Sequence, residues 1–339
     1  MPTTPSADQL RELLGSVVFD YYAGGAEDET TLRANQAAWR NLTLIPRIVK
    51  STDPQADHAP VELLPGTASA APLLLAPCAL AKLAHPDGES GVARAAASHN
   101  IPMVVSTTAS ETIEQTAAAA PDATLWFQLY AVPDRAITAD LIARAETARC
   151  KALVLTVDTP ALGRRERDTR NQFALPPGIR IANLEHYGNS AYNAHRKDPA
   201  LTWEILEWLR TNTRLPIVLK GILSPDDAIR AATHGVDAIV VSNHGGRQLD
   251  GAPATADILP RIRDSVGQRI RVFVDGGIRT GADMVRARLL GADAALVGRP
   301  WLWALANGGE AGVRSWLGCL LDAFRTTSQT HPAIAKQRQ

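Results

Sequence analysis

The chain has 339 residues, 45% hydrophobic and 21% charged, a globular mixture with material for a large core. Thirty-five basic residues balance 35 acidic ones, which argues against nucleic acid or an anionic membrane as a partner recognised through net charge. The three cysteines, Cys78, Cys150 and Cys319, are far apart and form no CxxC pair, so no zinc site and no disulfide framework is predicted.

The N-terminal region, residues 1–70, reads as two helices, SADQLRELLGSVVFDYY and AEDETTLRANQAAWR, followed by a Pro-rich connection. No basic start and apolar run mark a signal peptide, and the most apolar stretch is too short to span a bilayer. A cytoplasmic protein with no membrane partner is expected.

Eight short apolar runs follow: 72–77, 102–106, 125–130, 152–158, 216–220, 238–243, 271–277 and 294–299. They are apolar on both faces and bounded by Gly or Pro, the pattern of buried parallel strands. Helical segments lie between them. Ser110 reads as the cap of ETIEQTAAAA; SPDDAIRAATHG (224–235) and TGADMVRARLLG (280–291) each start on a hydroxyl cap and stop on Gly. Eight strand–helix alternations predict a (β/α)8 barrel of the TIM type at 71–320, with a helical extension before it, all one domain. Residues 171–201 form a long polar insertion after the fourth strand, read as a lid or a surface loop, with His186, Tyr187 and His195 as candidate lid residues.

Barrels of this kind carry their chemistry at the carboxyl ends of the strands. Those ends deliver Pro77, Cys78 and Ala79, then Ser106, then Gln128 and Tyr130, then Thr156 and Asp158 with Arg165 beyond. The later strands add Lys220; Ser242, His244 and Arg247; Asp275, Gly276, Gly277 and Arg279; and Gly298 with Arg299. The glycines and arginines of the last two loops suit a phosphate clamp, in which backbone N–H groups and guanidinium ions meet an anion. Tight turns with solvated arginines are the plainer reading of either loop alone. Neither GxxxxGK[ST] nor GxGxxG occurs.

These residues lie in motifs that resemble the FMN-dependent α-hydroxy acid oxidases and dehydrogenases. The motifs are DYYAGGAEDE (20–29), APCALAKLAHPDGE (76–89), FQLY (127–130), LTVDTPALGRRERD (155–168), LKG (219–221), SNHGGRQLDG (242–251) and VDGGIRTG (274–281). The resemblance implies FMN as cofactor and a small 2-hydroxy acid as substrate. It implies His244 as the base, paired with Asp158, and Arg165 and Arg247 as the grip on the substrate carboxylate. Tyr21 and Tyr130 would hydrogen-bond the substrate, and Lys220 would sit near flavin N1. Pro77, Cys78, Ala79, Ser106, Gln128, Thr156, Ser242, Asp275, Gly276, Gly277, Arg279, Gly298 and Arg299 would contact FMN. The family's proposed routes, α-proton abstraction and hydroxyl deprotonation with hydride transfer, both stay open, and a homotetramer is implied.

One departure bears on the substrate. Where glycolate-type members carry a large aromatic residue, this chain has Thr108, and a smaller side chain there predicts room for a longer or aromatic substrate. Oxygen is the expected electron acceptor, giving hydrogen peroxide. A quinone or cytochrome acceptor, and an oxidative decarboxylation, are the alternatives. A catalytically silent FMN-binding barrel is the competing class, and it has no need of the six residues Tyr21, Tyr130, Asp158, Arg165, His244 and Arg247 together.

Overall fold

A computed structural model describes residues 5–47, 60–188, 198, 201–330 and, for the backbone, 333–334. The chain opens with α1 (Ala7–Ala23) and α2 (Thr30–Asn41). Ser6 caps α1 in a reciprocal box with Gln9, and Gly15 breaks the helix at φ 73°. Then come a short strand β1 (Leu44–Ile45), the hairpin β2 (Val61–Leu64) and β3 (Thr67–Ser69), and the first barrel strand, β4 (Leu73–Leu75). The hairpin was not foreseen. Its signal is the dipeptide Pro65-Gly66, with Gly66 at φ 75°.

The alternation then runs α3 (Gly88–Ala97), β5 (Met103–Ser106), α4 (Ile113–Ala119), β6 (Leu125–Leu129), α5 (Arg135–Thr147) and β7 (Leu153–Thr156). After the short α6 (Glu166–Arg170) follow α7 (Ile205–Asn212), β8 (Ile217–Ile222), α8 (Pro225–Thr233), β9 (Ala238–Val241), α9 (Thr255–Val266) and β10 (Arg271–Val274). The last pieces are α10 (Gly281–Leu289), β11 (Ala294–Val297), α11 (Arg299–Gln329) and β12 (Ala333–Ile334), which pairs antiparallel with β1. Ser224 and Thr280 cap α8 and α10 as predicted. Ser110 does not cap α4: Thr112 does, and the Ser110 hydroxyl donates to Glu89 instead.

Strands β4 to β11 form a closed parallel barrel in which β11 pairs with β4, so the predicted TIM-type architecture is the architecture found. Two apolar layers explain why the strands read as continuous hydrophobic runs. Leu74, Val104, Trp126, Val154, Val218, Val240, Phe273 and Leu296 point inward and fill the barrel, joined by Leu63 and Leu64 of the hairpin. The alternate residues of the same strands face outward against the helices. Trp126 and Tyr22 are buried, and Tyr22 also lines the cavity at the carboxyl ends of the strands. Among the described residues no helix is long and apolar enough to cross a membrane.

Candidate active site

Strand β9 runs straight into the polar stretch SNHGGRQLD, residues 242–250. His244 takes the left-handed conformation at φ 57°, followed by Gly245 and Gly246 at φ 64° and 75°. A non-glycine residue there costs about 1–3 kcal/mol, held in place by its surroundings. Here the His244 N–H donates to Ser242 Oγ (3.1 Å) and the Gly246 N–H to Asn243 Oδ1 (3.1 Å). The turn aims the imidazole back over the barrel, where Nδ1 lies 2.8 Å from Asp158 Oδ1. Asp158 reaches this position because Gly221 makes room: a Cβ on Gly221, at φ 115°, would sit 2.6 Å from the Asp158 Cβ.

Beneath the histidine, Lys220 is buried between two neighbours. Its Nζ donates to Ser242 Oγ (2.9 Å) and pairs with Asp275 Oδ2 (3.1 Å). Burial works against the ammonium, but Asp275 and Asp158 outweigh it, and the pKa of Lys220 is raised. A fixed positive charge therefore stands at the barrel mouth. Around it, Gln128 Nε2, Thr156 Oγ1 and Asp275 Oδ1 are buried with no hydrogen-bond partner among the described residues. Unmet polar groups of this kind are rare in folded proteins. An amide, a hydroxyl and a carboxylate beside a cation, all lining one cavity of about 520 Å³, fit the carbonyls and ring nitrogens of a flavin.

The same cavity is rimmed by arginines. Burial, with the nearby Arg165 and Arg299, pulls the Arg247 pKa down to about 9. Arg279 and Arg299 fall to about 10, again through burial first. All three stay charged at neutral pH but pay for crowding without water, a penalty that a bound phosphate or carboxylate removes. Their backbone contacts fix where they point. Arg299 donates to the carbonyls of Tyr22 (2.8 Å), Gly245 (3.0 Å) and Gly24 (2.9 Å), and Arg247 to those of Tyr21 (2.8 Å) and Gly24 (2.7 Å). The glycines of the β10 loop have a second task. A Cβ on Gly277 would lie 2.3 Å from the Asn35 carbonyl oxygen, so this loop is shaped by α2 as well as for an anion.

Tyr21 and Tyr130 complete the wall. Burial raises the pKa of both phenols, so both remain hydrogen-bond donors at working pH. Tyr21 stacks on Phe173 at a centroid distance of 4.2 Å and 6° between planes, and the Arg247 guanidinium lies 5.4 Å from the Tyr21 ring centre. Thr108 lines the cavity with its hydroxyl 2.9 Å from Ser106 Oγ. Cys78 lines it too, its thiol pushed up to about 12 by burial.

Of the catalytic, substrate-binding and cofactor-binding residues expected from sequence, all but Asp158 and Ser242 line this cavity. Asp158 stands behind the histidine. Ser242 does not reach the wall: its hydroxyl is wholly buried, taken up by Lys220 and the His244 N–H. Arg164 is exposed and paired with Glu166, away from the site. His186 and Tyr187, candidate lid residues, lie beside Asp140 of α5 rather than on the cavity. His195 falls outside the described residues. Sequence reasoning missed Phe173, Leu175, Ile181 and Leu184, which bring the start of the 171–201 insertion onto the cavity. The apolar members of a polar insertion were the available signal. It also missed Leu162 and Asp168, on the same wall.

A parallel barrel with a His–Asp pair, a buried lysine and an arginine-rich cavity at its carboxyl end is suited to holding an anionic cofactor beside an acid–base pair. The chain belongs to the FMN-dependent dehydrogenase family, whose profile matches residues 10–330, and its cofactor is FMN. It is 47% identical to the L-lactate oxidase of a Nostoc species over 315 residues, covering 88% of this chain and 86% of that one. It is 43% identical to human 2-hydroxyacid oxidase 1, covering 93% and 88%. A crystal structure of mandelate oxidase with benzoyl-formic acid superimposes with a TM-score of 0.87 at 40% identity, covering 97% of this chain and 98% of that one.

Proposed function

We propose that the protein oxidises an L-2-hydroxy acid to the 2-oxo acid, with dioxygen as electron acceptor and hydrogen peroxide as second product. The observation that carries this reading is the convergence of the His244–Asp158 pair with Arg165, Arg247, Tyr21 and Tyr130. Flavin binding alone requires none of them.

Bound in this cavity, FMN would supply the two-electron redox chemistry, for the substrate carbon and for dioxygen. The chain does the rest. Arg165 and Arg247 hold the carboxylate, a planar anion matched to guanidinium geometry. With Nδ1 committed to Asp158, His244 Nε2 takes the proton, and the carboxylate of Asp158 stabilises the imidazolium that results. Tyr21 and Tyr130 donate hydrogen bonds to the substrate oxygens. Lys220 would place its charge beside the flavin ring; Gln128, Thr156 and Asp275 would meet the ring's polar edge. Arg279, Arg299 and the glycines of the last two loops would hold the phosphate.

The small Thr108 and the apolar surfaces of Leu162, Leu175, Ile181 and Leu184 favour a longer or aromatic substrate side chain. This apolar wall grades neighbouring substrates only weakly, since one methylene is worth about 1–3 kcal/mol. The described part of the insertion acts as a lid, and the chain works as one domain in a homotetramer, as its family resemblance implies. Light scattering of the purified protein checks the assembly.

Anaerobic mixing with a panel of L- and D-2-hydroxy acids tests the reaction. Bleaching of the flavin absorbance by L-acids, fastest with large side chains, is the expected result. Air should then restore the colour with one peroxide per turnover. Recovery only with a quinone would make it a dehydrogenase; a decarboxylated product would make it a monooxygenase. A flavin that no 2-hydroxy acid bleaches overturns the reading.

A further inference from the structure

Asn35 lies in the middle of α2, outside the barrel, yet it is 1% exposed. Its side-chain amide faces that of Asn243, the residue immediately before His244. Asn35 Nδ2 donates to Asn243 Oδ1 and Asn243 Nδ2 donates to Asn35 Oδ1, both at 2.8 Å. Two amides joined face to face in a buried setting leave no freedom to either. Asn243 Oδ1 also receives the Gly246 N–H. The amide pair therefore fixes both ends of the three-residue left-handed turn that carries His244.

The other contacts of Asn35 lead to the flavin side. Its Oδ1 accepts the Thr255 N–H at 3.2 Å. The Thr255 hydroxyl in turn donates to the carbonyl of Asp275 at 2.6 Å. The Asn35 carbonyl fills the space against Gly277. One side chain and its own backbone thus touch the loop of the base and the loop of the cofactor.

We propose that Asn35 is a positioning residue for the reaction: its amide, paired with Asn243, sets the place of His244 relative to the β10 loop that holds the flavin. This rests on His244 being the base. Asn35 touches no reacting atom and acts through Asn243.

The hydrogen-bond pattern gives a specific test. An amide both donates and accepts across the pair; an ionised carboxylate accepts only, and would set two oxygens against each other. A protonated carboxylic acid restores the donor. Asn35→Asp should therefore lose kcat at alkaline pH and regain it, relative to the unsubstituted enzyme, as the buried carboxyl takes up a proton. Asn35→Ala should lose kcat by about tenfold to a hundredfold per bound flavin, the scale of a small misplacement of a catalytic group, with KM changed less than threefold. The affinity of the flavin-free protein for FMN, read by quenching of flavin fluorescence, should weaken less than tenfold in both variants.

Three results overturn the proposal: an Asp-to-Asn rate ratio flat across pH, an Ala variant with unchanged kcat per bound flavin, or a loss confined to FMN affinity. If Asn35→Ala fails to fold, the pH profile of Asn35→Asp decides alone. His244→Ala, run beside them, separates the two readings. Full activity in that variant removes the base assignment itself; its inactivity with an unaffected Asn35→Ala removes only the role of Asn35.

Discussion

At the scale of single residues, the strongest claim concerns His244. Its side chain is held by Asp158 and its backbone by Ser242. His244→Ala should keep the yellow colour and lose flavin reduction by more than about a hundredfold, the order of general-base catalysis. A colourless protein would show that the histidine builds the loop rather than serving it. Cys78 gives a prediction of the opposite kind. With its thiol pushed up to about 12, roughly one molecule in ten thousand carries a thiolate at pH 8. Iodoacetamide at that pH should leave Cys78 intact in the folded protein, as mass mapping would show. Residues that end strands with chemistry were legible one by one, because a charged group closing a buried run is conspicuous. Asn35 was not. A lone asparagine in a helix is ordinary until the fold brings it against a residue 208 positions away.

At the scale of elements, the eight strands could be read because parallel strands buried on both faces are continuously apolar. Helix caps could be read where a hydroxyl stood just before the first turn, and Ser110 shows the limit. It has the right chemistry and nearly the right place, but Glu89 is buried beside it and takes the hydroxyl. The α2 helix shows the converse. Its first residue follows Glu29, which is left-handed and offers no side-chain cap. The first-turn N–H groups of Thr30 and Thr31 instead donate to Asp250 at 3.1 and 2.8 Å. A cap supplied from the far end of the chain has no local signal. Asp250→Ala should cost about 1 kcal/mol, as loss of a cap does. The cost should appear in the denaturant midpoint at constant slope. The hairpin offers a larger effect. Leu63 and Leu64 are 1% and 2% exposed and extend the barrel interior. Leu64→Ala should destabilise by about 2–5 kcal/mol and leave kcat per folded molecule unchanged, since the site lies at the other end of the strands.

At the scale of the whole molecule, charge balance conceals a local imbalance. The chain is neutral overall, yet Arg165, Arg247, Arg279, Arg299 and Lys220 share one cavity. For Arg247, Arg279 and Arg299 the folded pKa lies below the unfolded one. The penalty is absent only above the unfolded value and fully present below the folded one, at about 9 to 10. No pH between 5 and 8 relieves it, whereas a bound anion would. FMN at about a hundred times its Kd should stabilise the flavin-free protein by about 2.7 kcal/mol. Inorganic phosphate should raise its melting temperature more than chloride at equal ionic strength, and equal effects would show that the cluster is already satisfied.

The bonds that close the site also impose an order in time. Arg247 and Arg299 reach the carbonyls of Tyr21, Tyr22 and Gly24 across 223 to 277 residues. At about 5–20 residues per second on the ribosome, the segment around Tyr21 waits on the order of ten seconds or more for its partners. A cavity closed by these bonds forms only once Arg299 has been made, so cofactor capture is expected late in biosynthesis.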